Sequence, residues 1–374
     1  MNEEDALLAL HLTPDLGPVR IRRIIEHFGN ALAAVKLPAE VLQTVSGIGA
    51  SGAYGLQRVL SEGVWEQEKA KLRALGAWIL PYTDPRFPKS LRQLSNAPVL
   101  LEVLGTIEPG DRHALAVVGA RDCTFYGTEC AKRFAYQLAA ARWTVVSGLA
   151  RGIDTAAHLG ALAAQGRTFA VLGSGLARIY PAENRGLAER IAGHGAVLSE
   201  FATEYPPSAQ TFPYRNRVVA GLSAGLLLVE AGLQSGALIT ANLAADYGRQ
   251  VFAIPGPIDR PTSAGANRLI QEGAKLVIDA EDILEEMGLL LPVGMHRNKD
   301  PEETAPAAGM QTTDPPNPVQ RALLAALEQG EMNAESLVTR TGFSAPDVSG
   351  NLLDLELKHR VVCAPGNWYR LPGG

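Results

Sequence analysis

Residues 115–154 read LAVVGARDCTFYGTECAKRFAYQLAAARWTVVSGLARGID. A short apolar run, Leu115–Gly119, ends on a glycine, an amphipathic stretch follows at Thr128–Arg142, and a second run, Thr144–Gly148, ends on another glycine. This is the pattern of a strand, a crossover helix and a parallel strand. The unit recurs outward, with runs at Thr168–Gly173, Ala196–Ser199, Leu226–Glu230, Gln250–Ile254 and Lys275–Ile278. Helical stretches such as Thr155–Gln165 and Ala237–Tyr247 lie between them. The pattern predicts an α/β fold: a Rossmann-like, mostly parallel sheet with helices on both faces. Such sheets bind ligands beyond the carboxyl ends of their strands.

The 374-residue chain is 47% hydrophobic and 20% charged, enough for a sizeable core in two or three domains. Its 34 basic and 39 acidic residues leave a net charge of −5, which excludes a basic coat but not a local basic pocket. Glycine is in excess, at 38 residues. Cys123, Cys130 and Cys363 form no C-x-x-C pair, which argues against a disulfide framework or a zinc site. The acidic start, Met1 to Asp5, lacks the basic region of a signal peptide, and the most apolar window, Gly221–Leu233, is too short to span a bilayer. The expectation is a reduced, cytoplasmic, soluble protein without membrane contact.

Five segments are predicted. Residues 1–65 form a helical (SAM/helix-hairpin-helix-like) cap, with glycine turns at Leu16-Gly17-Pro18 and Ser46-Gly47-Ile48-Gly49. Such hairpins can offer backbone N–H groups to a phosphate, and the same turns suit a plainly packed cap. Residues 66–112 read as a connecting segment, 113–290 as the Rossmann-like domain and 291–317 as a proline-rich flexible linker. Residues 318–374 read as a winged helix, with helices at Pro318–Leu327, Ala334–Thr341 and Ala345–Lys358 and a β-wing around Pro365-Gly366-Asn367. That module holds five basic and six acidic residues, which favours a protein contact over duplex reading.

The central domain places a glycine loop at almost every strand end. They are Gly119-Ala120-Arg121, Ser147-Gly148 through Arg151-Gly152, Gly173-Ser174-Gly175 followed by Arg178 and Arg185, and Ser235-Gly236 opening a helix. Glycine lets backbone N–H groups approach an anion, a following helix N-terminus adds positive charge, and arginine clamps phosphate. Four such loops on one sheet predict a phosphate-binding edge. Phe212-Pro213-Tyr214-Arg215-Asn216-Arg217 adds stacking faces and cations suited to single-stranded nucleic acid; the alternative has Phe212 and Tyr214 as core anchors and the arginines as a helix cap. Of the basic residues in 113–290, thirteen are arginine and two are lysine.

No G-x-G-x-x-G follows the first strand, no Walker loop is present and no G-x-S-x-G elbow surrounds Ser147, so no nucleotide cofactor and no hydrolase nucleophile is expected. Asp154 and His158 share a helix face, a spacing more often structural than catalytic. Cys123 has no histidine near it in sequence.

The ordered motifs VVGARDCTFYG (117–127), SGLARGIDTAAH (147–158), VLGSGLARIYPAEN (171–184), FPYRNRVVAGLS (212–223) and VEAGLQSGALITANLAADYGRQVFAIPG (229–256) resemble the DNA-processing protein A family, DprA/Smf. Gly265-Ala266-Asn267-Arg268-Leu269-Ile270 extends the match. The resemblance implies a non-enzymatic protein of natural transformation that binds and protects single-stranded DNA, helps load RecA recombinase and forms a homodimer. By position it implies a DNA pocket of Arg121, the Ser147–Gly152 loop, Gly173, Gly175 and Arg215 to Arg217, closed by Ser235–Ala237. Many relatives carry lysines where this chain has Ala182-Glu183 and Ala209-Gln210, and Arg178 and Arg185 are the replacements at hand. For the dimer, Ile270, Leu276, Ile278 and Leu284 offer apolar contacts and equally suit the core. The competing reading is a phosphoribohydrolase-like enzyme on a mononucleotide, in which Glu230 would be the acid; its P-G-G-x-G-T signature is absent. A duplex-DNA regulator acting through the winged helix is disfavoured by that module's charge.

Overall fold

Nine strands share one sheet: Trp78–Pro81 (β1), Leu100–Gly105 (β2), Ala114–Val118 (β3), Thr144–Ser147 (β4), Thr168–Leu172 (β5), Gly195–Ser199 (β6), Gly225–Leu228 (β7), Gln250–Ala253 (β8) and Lys275–Leu276 (β9). Their order is β1-β2-β6-β5-β4-β3-β7-β8-β9. All neighbours from β6 to β9 pair in parallel, while β2 runs antiparallel to both β1 and β6. The chain winds outward from β3 to β6 and returns to β7 beside β3. That reversal opens a crevice at the carboxyl ends of β3 and β7, the usual ligand position in such sheets. The structure is a computed structural model and describes residues 1–290, 317–327, 330–344 and parts of 347–371. It divides into two compact units, Met1–His296 and Arg297–Gly374.

Six helices build the cap: Glu3–His11 (α1), Pro18–Phe28 (α2), Ala31–Ala34 (α3), Ala39–Leu42 (α4), Ala50–Ser61 (α5) and Val64–Ala74 (α6). Gly17 and Gly49 are the N-caps of α2 and α5, as the glycine turns suggested. The cap shares one apolar core with Leu172 and Val197 of the sheet. Arg22 ties it to the next segment, donating to the carbonyls of Leu94 (3.0 Å) and Ala97 (2.8 Å).

The segment 66–112, read as a connection, is instead structural. It carries the end of α6, both antiparallel strands and a short helix, Lys89–Arg92 (α7). These strands escape pattern reading because β1 has only four residues, ending on Pro81, and β2 carries the fully buried Glu102 inside its apolar run.

Alternation along β3 shows why helices lie on both faces. Leu115 and Val117 point into a core with Phe125–Ala140 (α8) and Ile153–Ala163 (α9), while Ala116 and Val118 point into the opposite core. Arg185–His194 (α10) packs with the cap core. Thr211–Leu222 (α11), Gly236–Asp246 (α12) and Ala264–Gln271 (α13) cover the Ala116 face, and Ala280–Leu290 (α14) returns to the α8 face.

The second unit holds helices Pro318–Leu327 (α15) and Ala334–Thr341 (α16) and a small sheet of Met332–Asn333 (β10), Val362–Ala364 (β11) and Trp368–Arg370 (β12), in the order β10-β12-β11. Strand β10 was not anticipated. The linker 291–317 lies outside the described residues except for Asn317, as does much of the third helix expected at Ala345–Lys358. No helix among the described residues is long and apolar enough to cross a membrane.

Candidate functional site

A cleft of about 640 Å³ opens at the β3/β7 crevice. Its walls come from the loop after β3 (Gly119, Arg121), the loop after β4 (Gly148, Ala150), the start of α11 (Phe212, Arg215, Asn216) and the turn into α12 (Ser235, Gly236). Ser235 caps α12 by accepting from Ala237 N (3.3 Å), so that helix begins at the cleft and contributes its positive end. A smaller adjoining hollow adds Arg151 and Tyr180.

Other expected residues shape the cleft from behind. A Cβ on Gly173 would stand 2.7 Å from the Phe212 ring, so this glycine seats the aromatic. Gly152 has φ +72°, the left-handed region, and lies against the backbone of Ala120 and Arg121. Gly175 abuts the carbonyls of Ala202 and Thr203, and its N–H donates to Tyr205 O (2.9 Å). Ser147 is buried and donates to Val117 O (2.7 Å). Of these four, Ser147 Oγ and Gly175 N thus donate inside the fold rather than to the cleft.

The arginines separate by partner. Arg121 is exposed, with its guanidinium 5.1 Å from the Phe212 ring centroid and no carboxylate or hydrogen-bond partner among the described residues. Arg151 is exposed but paired with Glu183 at 2.5 Å. Arg178 and Arg185 are exposed, Arg178 within electrostatic reach of Glu204, and neither lines the cleft. Arg215 is buried: its Nη1 donates to Gly148 O (2.6 Å) and to Val171 O. Burial pushes its guanidinium down to about 10, against the pull of Asp154, so it stays charged at neutral pH. Arg217 is buried away from the cleft, ion-paired with Glu200, donating to Asn96 O (2.5 Å) and lying 4.3 Å from the Tyr214 ring centroid. Of the expected pocket arginines Arg215 and Arg217, only Arg215 lines the cleft.

A further correction concerns the Ser147–Gly152 loop. The carboxylate of Asp154, buried and raised by that burial against the charge of Arg215, accepts from Gly148 N (3.1 Å) and Ala150 N (3.4 Å). The chain's own anion thus fills the cradle that the glycines suggested for phosphate. Asp154 does not pair with His158. Thr168 Oγ1 donates to Val145 O (2.8 Å) and lies 2.7 Å from His158 Nδ1, so Nδ1 carries the imidazole proton. Cys123 sits half-buried, 3.3 Å from Thr128 Oγ1.

The expected dimer residues divide. Leu276 (46% exposed) and Ile278 (64%) stand at the outer edge of the sheet, whereas Ile270 and Leu284 are half-buried against the two cores. Pro261 and Thr262, which also line the cleft, carried no sequence signal.

The family model described as DNA recombination-mediator protein A matches residues 78–288, more than half of the chain. The chain belongs to this family. A second model, the DprA winged helix domain, matches 304–367. Protein Smf of Escherichia coli is 40% identical over 295 residues, covering 78% of this chain and 77% of its own. DNA processing protein DprA of Streptococcus pneumoniae is 43% identical over 203 residues, or 54% and 72% of the two chains. The solved structure of that pneumococcal DprA superposes with a TM-score of 0.68 at 34% identity, covering 76% of this chain and 98% of its own. A Helicobacter pylori DNA processing protein A, solved for its single-stranded DNA binding mode, gives 0.52 at 28% identity, covering 57% and 96%. The family model spans every cleft-lining residue named above and begins at β1, so it treats the two antiparallel strands as part of the sheet domain.

Proposed function

We propose that this chain binds single-stranded DNA across the carboxyl edge of its parallel sheet and serves homologous recombination during natural transformation. The observation that carries this reading is Arg121: an exposed guanidinium, unpaired among the described residues, beside Phe212 at the mouth of the β3/β7 cleft. A cation free of carboxylates is available to a phosphate, and the adjacent ring offers a face to a base. The N-terminus of α12 and the buried charge of Arg215 add positive potential beneath the strand. The Helicobacter pylori relative, solved for its single-stranded DNA binding mode, supports the same ligand class.

The chain acts by binding rather than by turnover. The acid of the enzyme reading, Glu230, is buried and holds Thr124, accepting from its N–H (3.1 Å) and its hydroxyl (2.9 Å). Asp154 and His158 are likewise committed inside the fold. The partners of this reading are RecA recombinase and a second copy of the chain, joined through the exposed β9 edge, in the cytoplasm. Incubation with nucleoside monophosphates tests the absence of turnover: base release would contradict it. Affinity for single-stranded against duplex oligonucleotides tests the DNA assignment.

A further inference from the structure

Thr262 lines the main cleft and also a second cavity of about 180 Å³ on the β8 side of the Arg121 loop. Glu230 lines this cavity and is 5% exposed. Its Oε2 is used twice by Thr124, whereas its Oε1 has no hydrogen-bond partner among the described residues. A buried carboxylate oxygen without a donor is rare in folded proteins and calls for a specific reason.

The surroundings indicate what would donate. Tyr126, 54% exposed, forms one wall, and Pro255 lies on the opposite loop. That loop is pinned by Asn267, which accepts from Gly256 N (3.1 Å) and donates to Gly256 O (2.9 Å). Arg260 at the rim is exposed, and its side chain has no ion-pair partner among the described residues. A flat wall, an N–H acceptor and a free cation together match one nucleotide: a ring, an amine and a phosphate.

We propose that this cavity takes one base of the bound strand and that Glu230 selects a base carrying an exocyclic amine. The inference rests on a single strand crossing the Arg121 cleft, whose lining shares Thr262 with the cavity. Cytosine presents an amine where uracil and thymine present a carbonyl, which a carboxylate repels.

The test measures dissociation constants of the full chain for oligo-dC and oligo-dU of equal length. The parent should prefer oligo-dC by roughly tenfold, the value of one charge-assisted hydrogen bond. Glu230→Gln keeps an acceptor for Thr124 but turns a donor toward the cavity, so the ratio should fall to one or below. Tyr126→Ala, at an exposed position, should lower oligo-dC affinity and shrink the ratio, and it decides the matter if Glu230→Gln fails to fold. Equal binding of both homopolymers by the parent, or a preference that survives both substitutions, would overturn the proposal. Binding of neither homopolymer would instead overturn the single-stranded DNA reading.

Discussion

The guanidinium of Arg215 lies flat across the backbone of Gly148: a Cβ at that glycine would stand 2.5–2.6 Å from Nη1, Nη2 and Cζ. A residue of α11 thereby locks the loop after β4, with Asp154 holding the same loop from the other side. Two buried charged side chains thus bond the Gly148 backbone, and Arg121, which lines the cleft, is exposed.

Gly148→Ala should therefore destabilise the fold by about 1–3 kcal/mol, because the new methyl must displace a hydrogen-bonded guanidinium in a packed site. Urea unfolding monitored by far-UV circular dichroism checks this. An unchanged midpoint would show that Arg215 is not held against the loop.

Arg217→Ala should cost about 3–5 kcal/mol of stability by leaving Glu200 buried without its partner. The salt slope of DNA binding by the remaining folded protein should match the parent's. A variant as stable as the parent but weak in DNA binding would return Arg217 to the ligand.

From two buried groups, Glu102 and His158, stability should be greatest between about pH 4.5 and 6.5 and fall on either side. Burial, with the charge of Glu68 adding, pushes Glu102 up to about 9 from an ordinary 4.5. The folded chain keeps a proton that the unfolded chain releases, so this contribution is full below 4.5 and drains as pH rises toward 9. Burial, with Arg215 adding, pushes His158 down to about 3 from 6.5, so its contribution is present above 6.5 and lost as pH falls toward 3. Glu102→Gln should flatten the alkaline limb and add about 1–3 kcal/mol near pH 8. A pH profile of unfolding midpoints that keeps its alkaline slope in this variant would assign that slope elsewhere.

Ile278→Arg should shift the mass measured by light scattering from dimer to monomer, since this side chain is 64% exposed beside the edge strand β9. Leu284→Arg is the poorer probe, because Leu284 packs on the α8 core and its loss would disturb folding. An Ile278→Arg variant with unchanged mass removes this edge from the interface.

Much of the architecture was legible because β3 to β8 are short apolar runs closed by glycine or small residues, and period alone marks them. The strands of 66–112 were not, since their burial depends on partners distant in sequence. The site was legible as a set of arginines and glycines on one edge, but their roles were not. Whether an arginine is free depends on carboxylates elsewhere in the chain: Glu200 claims Arg217 and Glu183 claims Arg151, while Arg121 has none among the described residues. Likewise Asp154, six residues after Gly148, fills the loop that its glycines suggested for phosphate.

The most direct measurement compares the affinity of the parent and Arg121→Ala for one single-stranded and one duplex oligonucleotide at two salt concentrations. The parent should favour the single strand, and Arg121→Ala should lose roughly tenfold in that affinity with a salt slope shallower by about 0.7, one phosphate contact. Equal affinity of parent and variant for the single strand, with parallel salt slopes, would contradict the assignment of Arg121 and the cleft it guards.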